Sequence, residues 1–332
     1  MHLVTLEFFR EILGQEMPVI NLMDIGASGG IDNSWKVFEP KFNALGVEPL
    51  ETEVDRLNQA EENPSINYYS AFAVYKQWDE LYPASDRPLP SEDPFYRSSA
   101  AVAGESKENF IQNEYNAGAP ISYTKVHKEI DELVDLMPGK SVDFLKTDTD
   151  GFDFPAILGA KDLMTKGMLL GAKIEASLHG PAHQYANTFA NIDTYMRGNG
   201  FTLLNLETYN YTRSVFPGRF MYTLPAQTRK GAILWGDAYY YRDFCCPKFE
   251  QEAGWLPTKE QLIKMVLLLE YLGCHDSMVE LLIGKADLIG ISDQLPSLLD
   301  RIVKRYTDPK LGTSYEELIS NFRADYKSFY PE

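Results

Sequence analysis

The chain has 332 residues, 44% of them hydrophobic and 24% charged, which is typical of a globular protein with one large domain and a smaller addition. Its formal net charge of −17 disfavours binding to nucleic acid and to anionic lipid surfaces. The chain has three cysteines, which lack the spacing of a zinc site. It contains no apolar run of membrane-spanning length, and residues 1–20 lack a signal-peptide pattern. These features predict a cytoplasmic protein with no membrane span.

Short strands and helices alternate along the first part of the chain. Apolar residues at helical spacing predict a helix over Leu3–Leu13, ahead of a buried strand over Val19–Ile25. The next predicted elements are a helix over 34–43, a strand over 45–48, a helix over 52–61 and a strand over 66–74. Prolines then interrupt residues 79–120, so we expect a lid or substrate loop there. The predicted acceptor contacts in this loop are Tyr96 and Arg97.

The alternation resumes after this loop. The predicted elements are a helix over 128–136, a strand over 142–147, a helix over 154–163, a strand over 169–176, a helix over 189–196 and strands over 201–206 and 232–242. This order predicts an α/β fold with a doubly wound, mostly parallel sheet.

The pattern becomes wholly helical after Trp255. Residues Thr258–Gln261 match a capping box, and apolar residues follow at helical spacing. We therefore divide the chain into a domain over residues 1–255 and a helical appendage over residues 256–332. The appendage is predicted to serve packing or the formation of a homodimer.

A glycine-rich turn follows the first predicted strand. Glycine has no Cβ, so a backbone of this kind can approach a ligand closely. The spacing is not Gly-x-Gly-x-x-Gly, the pattern typical of dinucleotide binding. An acid before the first glycine fits the cationic S-adenosylmethionine better than a pyrophosphate, although a purely structural turn would contain the same glycines. The predicted cofactor contacts in this turn are Asp24, Gly26, Ala27, Ser28 and Gly30.

A second carboxylate, Glu48, ends the strand predicted over 45–48. It follows Asp24 by the length of about one helix and one strand, and a carboxylate there can accept both ribose hydroxyls of a nucleoside. The alternative is an ordinary surface acid. Ala71 and Phe72 follow the third strand and are predicted either to flank the adenine or to belong to the core.

The densest group of charged residues lies at the end of the strand over 142–147. This strand delivers Lys146, Asp148, Asp150 and Asp153 to its carboxyl end, where ligands bind in open α/β sheets. Like charges this close need a cation, hydrogen bonds or a raised pKa; the alternative is a solvated acidic loop. We expect Asp148 to face the cofactor.

Over about residues 19–180 the sequence resembles the FkbM-type family of S-adenosylmethionine-dependent methyltransferases. The matching motifs occur in the family's order, and they are Asp24–Gly30, Glu48-Pro49, Ile130–Leu133, Lys146–Gly151, Ile157–Ala160 and the later acid Glu175. Ser28 and Asp150 depart from the family pattern, which has Asn and Glu there. The resemblance implies a Rossmann-like fold of the class I methyltransferase type, with S-adenosylmethionine as the cofactor.

Methyl transfer requires an acceptor hydroxyl held in line with the breaking bond and a base that takes its proton. His179 and His183 follow the strand over 169–176 and are the predicted bases, unless both simply pack in a loop; Asp150 is the alternative base. The predicted acceptor contacts outside the lid are Lys146, Asp150 and Glu175. A divalent metal ion held by Asp148, Asp150 and Glu175 is a less favoured possibility for the same site.

The expected activity is O-methylation of a hydroxyl on a sugar, a glycolipid or a secondary metabolite, so the partner is a small-molecule or glycan acceptor. One alternative is an NAD-dependent oxidoreductase or epimerase, which the missing Gly-x-Gly-x-x-Gly and Tyr-x-x-x-Lys patterns disfavour. The other is a non-catalytic binding scaffold on a methyltransferase fold.

Overall fold

The computed structural model describes residues 2–83, 123–211, 228, 230–247 and 254–330. The chain forms two compact units. The sheet unit consists of Asn21–Asp32 and Asn43–Arg242, and the helical unit consists of Met1–Ile20, Asn33–Phe42 and Asp243–Glu332. These units group residues that contact one another in the fold. The division of the chain into domains at residue 255 remains a proposal. Tyr96 and Arg97, with most of the predicted lid, lie outside the described residues.

The sheet unit contains a seven-stranded sheet. Its strands are β1 (Ile20–Ile25), β2 (Phe42–Glu48), β3 (Ile66–Ser70), β6 (Phe144–Thr147), β7 (Gly171–Ser177), β8 (Thr202–Tyr211) and β9 (Ala232–Tyr241). They lie in the order β3-β2-β1-β6-β7-β9-β8. Two short strands, β4 (Phe72–Ala73) and β5 (His127–Lys128), form a separate parallel pair.

The sheet is mostly parallel. β1 with β6, β2 with β3 and β6 with β7 all pair in parallel, whereas β9 runs antiparallel to both of its neighbours. Every residue of β1 is buried, as expected for a central strand covered on both faces. The predicted α/β fold with a mostly parallel sheet and a helical C-terminal region is confirmed.

The helices of the sheet unit are short. They are Glu51–Ala60, Trp78–Leu81, Ile130–Leu133, Asp153–Leu158, Lys161–Thr165 and Phe189–Gly198, with 3-10 helices at Val134–Leu136 and Pro138–Lys140. Their apolar side chains join those of the strands in one buried core, to which Met23, Leu145, Ile157, Ile174 and Tyr240 belong.

Three predicted helices and two predicted strands are wrong in extent. The strand expected over 66–74 ends at Ser70, ahead of the separate β4, and the strand expected over 201–206 continues to Tyr211. A 3-10 helix over Asn33–Phe38 replaces the helix expected over 34–43, and β2 already begins at Phe42. Pro40 has no N–H to donate within a helix, so the helix expected over 34–43 cannot continue through it. The helix expected over 128–136 begins only at Ile130, because the residues before it form β5.

The helix expected over 154–163 is divided at Gly159. Its carbonyl oxygen accepts a hydrogen bond from the Asp131 N–H at 2.8 Å. The Asp131 carboxylate in turn accepts the N–H groups of Asp162 and Leu163, at 2.7 and 2.8 Å, which begins a second helix there.

The helical unit contains five α-helices in its described part, at Val4–Leu13, Lys259–Tyr271, His275–Ile289, Leu295–Tyr306 and Tyr315–Ala324. The predicted capping box is present, since Thr258 Oγ1 accepts the Gln261 N–H at 3.2 Å and Gln261 returns the bond. No helix in the described ranges has both the length and the apolarity to cross a bilayer.

Glu270, near the end of the Lys259–Tyr271 helix, caps the N-terminal helix of the same unit. Its carboxylate accepts the N–H groups of Val4 and Thr5 at 2.6 and 2.9 Å. The Tyr306 hydroxyl donates to the same carboxylate at 2.7 Å. A helix N-terminus leaves such N–H groups without partners inside the helix, so one buried acid satisfies them.

Candidate active site

A cavity of about 550 Å³ opens at the carboxyl ends of β1, β2, β3 and β6. This is the edge at which open α/β sheets bind ligands, and the strand order reverses between β1 and β6. Seven residues predicted from the sequence line it, and they are Gly26, Ser28, Glu48, Ala71, Phe72, Asp148 and Asp150.

The turn after β1 is hydrogen-bonded to β2 and lies close to the residue that follows β6. Gly26 has a φ of 82°, and a Cβ there would overlap the carbonyl oxygen of Asp148. The N–H groups of Gly26 and Ala27 both donate to the carbonyl oxygen of Val47, at 2.9 and 3.2 Å. These two donors are therefore occupied by β2 and do not point at a ligand. Ala27 and Gly30 do not line the cavity.

Glu48 presents a carboxylate to the cavity wall. It is 7% exposed, and one of its oxygens accepts the Leu50 N–H at 2.9 Å. Burial raises its pKa, and the charges of Glu53 and Asp150 raise it further against that hydrogen bond. A carboxylate in this position retains acceptor capacity for ligand hydroxyl groups.

Asp24 is paired with Lys146 and does not line the cavity. The two residues are register partners on β1 and β6, and Lys146 Nζ lies 3.0 Å from one Asp24 oxygen and 3.6 Å from Asp148. Burial raises the pKa of Asp24 to about 6, although Lys146 lowers it. The positive charge that the sequence led us to expect from a cofactor is supplied here by a lysine.

Aromatic side chains form another part of the cavity wall. Phe72 lies 5.5 Å from the ring of His127 and 6.3 Å from that of Tyr123. Tyr75 and Trp78 complete this wall. Sequence reasoning missed these four residues; the pairing of β4 with β5, which joins segments that are distant in the chain, brings His127 to Phe72.

Two carboxyl groups beside the cavity have raised pKa values. Burial, reinforced by four aspartates, raises the pKa of Glu175 on β7 to about 8. Burial also raises the pKa of the fully buried Asp153 to about 6. The hydroxyls of Thr147 and Thr149 lower the Asp153 pKa in part, although neither forms a hydrogen bond of standard geometry.

The two predicted histidine bases differ in setting, and neither lines the cavity. His179 is exposed just beyond the end of β7. His183 stacks on Tyr82 with ring centroids 4.2 Å apart, and its Nδ1 accepts the Tyr185 N–H at 3.2 Å. Within the described ranges, no group of three or more His, Cys, Asp or Glu side chains is arranged to hold a metal ion.

The model of the methyltransferase FkbM domain matches residues 24–203, which is more than half of the chain. The chain belongs to this family. The match begins at Asp24 and ends within β8, so the FkbM domain includes the cavity and the acidic end of β6. The chain is thus a member of a family of S-adenosylmethionine-dependent methyltransferases, as the sequence motifs predict.

Solved structures resemble this chain only distantly. The precorrin-6y C5,15-methyltransferase from Geobacter metallireducens is 10% identical, with a TM-score of 0.33 over 72% of this chain and 85% of its own. The N-terminal domain of EvdMO1 with S-adenosylhomocysteine bound is 10% identical, with a TM-score of 0.31 over 72% and 80%. Curated proteins yield no match to this sequence.

Proposed function

We propose that this FkbM protein transfers the methyl group of S-adenosylmethionine to a hydroxyl oxygen of a sugar, a glycolipid or a secondary metabolite. The main support is the cavity at the carboxyl ends of β1, β2 and β6, where the buried carboxylate of Glu48 faces a pocket walled by glycine and aromatic residues. Its volume of about 550 Å³ suits a nucleoside-sized ligand.

The residues present fit S-adenosylmethionine. Glu48 would accept the ribose hydroxyls, and Ala71 and Phe72 would flank the adenine on the aromatic side of the cavity. Gly26 and Ser28 would contact the ligand from the turn after β1. Asp24 would act at a distance, by holding Lys146 at the end of β6.

When bound, S-adenosylmethionine supplies a methyl carbon whose bond to the positively charged sulfur breaks as the acceptor oxygen attacks. The protein must hold that oxygen in line and remove its proton. Asp150 is the predicted base that lines the cavity, and its φ of 53° turns the loop sharply after β6. His179 is the second candidate, because it is exposed at the end of the neighbouring strand.

His183 suits the role of base less well, since Tyr185 already occupies its Nδ1. Lys146 and Glu175 are proposed acceptor contacts, because both lie on strands beside the cavity. A metal on Asp148, Asp150 and Glu175 finds no support in the side-chain arrangement of the described residues.

Isothermal calorimetry with S-adenosylmethionine, S-adenosylhomocysteine and NAD tests the donor. We expect the two adenosyl ligands to bind and NAD not to bind. Binding of NAD alone would overturn the proposal in favour of an oxidoreductase. Transfer of a labelled methyl group to a panel of hydroxylated acceptors then separates an enzyme from a non-catalytic scaffold.

A further inference from the structure

One face of the strands β7, β9 and β8 carries polar and aromatic side chains toward the carboxyl end of β7. In antiparallel pairs, directly opposed residues share a face, and residues two apart on a strand share it too. The register pairs Glu175 with Asp237 and Ser177 with Trp235, and it pairs Trp235 with Tyr209. We call this surface the polar face, and it is formed by Lys173, Glu175, Ser177, Tyr209, Trp235 and Asp237.

The opposite face of the same strands belongs to the core. Ile174, Ala176, Ala238 and Tyr240 alternate with the residues of the polar face, and all four are fully buried. These strands therefore contribute to the hydrophobic core through their inner face alone. The aromatic and charged groups on the polar face are not needed to fill the core.

Trp235 and Tyr209 form an aromatic plate on the polar face. Their ring centroids lie 4.0 Å apart with an interplanar angle of 20°. Trp235 Nε1 donates to the Tyr211 hydroxyl at 3.0 Å, which fixes the indole ring. Both rings are half-buried, so each keeps surface that a ligand can cover at little cost in side-chain entropy.

Polar groups lie beside this plate. Lys173 Nζ is 2.9 Å from an oxygen of Asp237, and the Tyr209 hydroxyl is 3.5 Å from the same carboxylate. The Glu175 carboxyl has no hydrogen bond and no ion pair with any described residue, although it is mostly buried. Its hydrogen-bonding capacity is therefore unused within the described part of the chain.

The polar face adjoins the donor cavity. Glu175 interacts electrostatically with Asp148 and Asp150, and both of these aspartates line the cavity. A ring lying on Trp235 and reaching Glu175 would therefore extend toward the acidic end of β6. Trp235 and Asp237 lie outside the residues that match the FkbM domain, so the family assignment gives them no role.

We propose that the polar face binds the methyl acceptor, and that this acceptor is an uncharged, polyhydroxylated ring such as a neutral sugar. The plate of Trp235 and Tyr209 contacts the apolar side of the ring, while Glu175, Asp237 and Lys173 bond its hydroxyl groups. This inference rests on the proposed function. It adds where the acceptor lies and which chemical class it belongs to.

Charge decides the class of acceptor. Glu175 interacts electrostatically with Asp148, Asp150, Asp153 and Asp237, and the single cation of the polar face, Lys173, is already paired. A phosphate or carboxylate on the acceptor would meet several negative groups in a partly dehydrated site. Neutral hydroxyls avoid that repulsion and can both donate to and accept from the carboxyl groups.

The test uses the full chain and saturation-transfer NMR with methyl glycosides of neutral hexoses. The matching uronic acids and hexose 6-phosphates serve as anionic probes, each measured with and without S-adenosylhomocysteine. We expect neutral glycosides to bind and the anionic probes not to bind. Trp235→Leu should weaken glycoside binding about tenfold, which corresponds to about 1.4 kcal/mol.

Tyr241→Leu is the matched control. Tyr241 lies on the same strand and the same face as Trp235, at the opposite end of β9. This variant should bind glycosides as the wild type does. Tyr209→Leu serves in place of the tryptophan variant if thermal unfolding shows that Trp235→Leu is not folded, and it should show the same weakening.

Equal glycoside binding by the wild type and the folded plate variants overturns the inference, and so does a preference for the anionic probes. Binding of S-adenosylhomocysteine without any binding of glycosides also overturns it, while the proposed function stands. Absence of S-adenosylhomocysteine binding overturns the proposed function and the acceptor inference together.

Discussion

The carboxyl group of Glu175 should make the stability of this protein fall as the pH rises. Its pKa is raised from 4.5 to about 8, first by burial and then by Asp148, Asp153, Asp150 and Asp237. Between these two values the folded protein holds a proton that the unfolded chain has released. The free energy of unfolding therefore decreases with increasing pH across this range, by at most about 1.4 kcal/mol per pH unit.

Glu175→Gln removes this titration, because an amide does not ionise. From about pH 5.5 to about pH 7.5 the full effect would be about 2.7 kcal/mol. Water reaches part of the side chain, which is mostly but not completely buried, so we expect about 1–2 kcal/mol. The variant should gain that much relative to the wild type over this interval.

Urea unfolding at about pH 5.5, 6.5 and 7.5 measures the difference. Glu207→Gln is the matched control, since Glu207 lies opposite Asp237 on the neighbouring strand β8 but is exposed. The control should keep the pH dependence of the wild type. If the wild type and Glu175→Gln keep a constant difference at all three pH values, Glu175 does not retain its proton in the folded protein and the electrostatic reasoning is wrong.

Three further substitutions test the cavity and the helical unit. Glu48→Gln should weaken S-adenosylhomocysteine binding about tenfold in calorimetry, because a neutral amide accepts ribose hydroxyls less well. Glu51→Gln, at an exposed position, is the control and should bind as the wild type does. Equal loss of affinity in both variants would contradict the assignment of Glu48 to the ribose. Gly26→Ala should lower the free energy of unfolding by about 2–3 kcal/mol, because the new Cβ has no room beside Asp148 and the φ at this position is positive. A variant that melts at the temperature of the wild type would refute this prediction. Glu270→Ala should cost about 2–4 kcal/mol in urea unfolding because the N-terminal helix loses its buried cap, and an unchanged midpoint would show that water replaces the carboxylate.

The strands were predictable from the sequence because their signal is local. The apolar runs over 19–25, 142–147 and 169–176 became β1, β6 and β7 with shifts of only one or two residues at their ends. The position of Glu48 at the carboxyl end of β2 followed from the same pattern. Each of these predictions needed only a short window of chain.

Features that depend on distant partners were not predictable in the same way. His127 reaches the cavity through the pairing of β4 with β5, and Tyr123 lies there beside its isolated bridge to Leu50; no local pattern indicates either contact. The sequence shows an acid at Asp24 but not that Lys146, its neighbour across the sheet, binds it. It likewise shows His183 without the Tyr82 ring on which it stacks.

The interleaved order of the two units affects how the chain can fold during synthesis. The N-terminal helix and the segment around Trp35 belong to a unit completed only by Asp243–Glu332. At a translation rate of about 5–20 residues per second, roughly 10–40 s pass between Phe42 and Asp243. During that delay the N-terminal helix lacks the helices Lys259–Tyr271 and Leu295–Tyr306, which it contacts in the folded protein, while most of the sheet unit can already assemble. Nascent chains of this protein should therefore depend on chaperones until the last helices emerge.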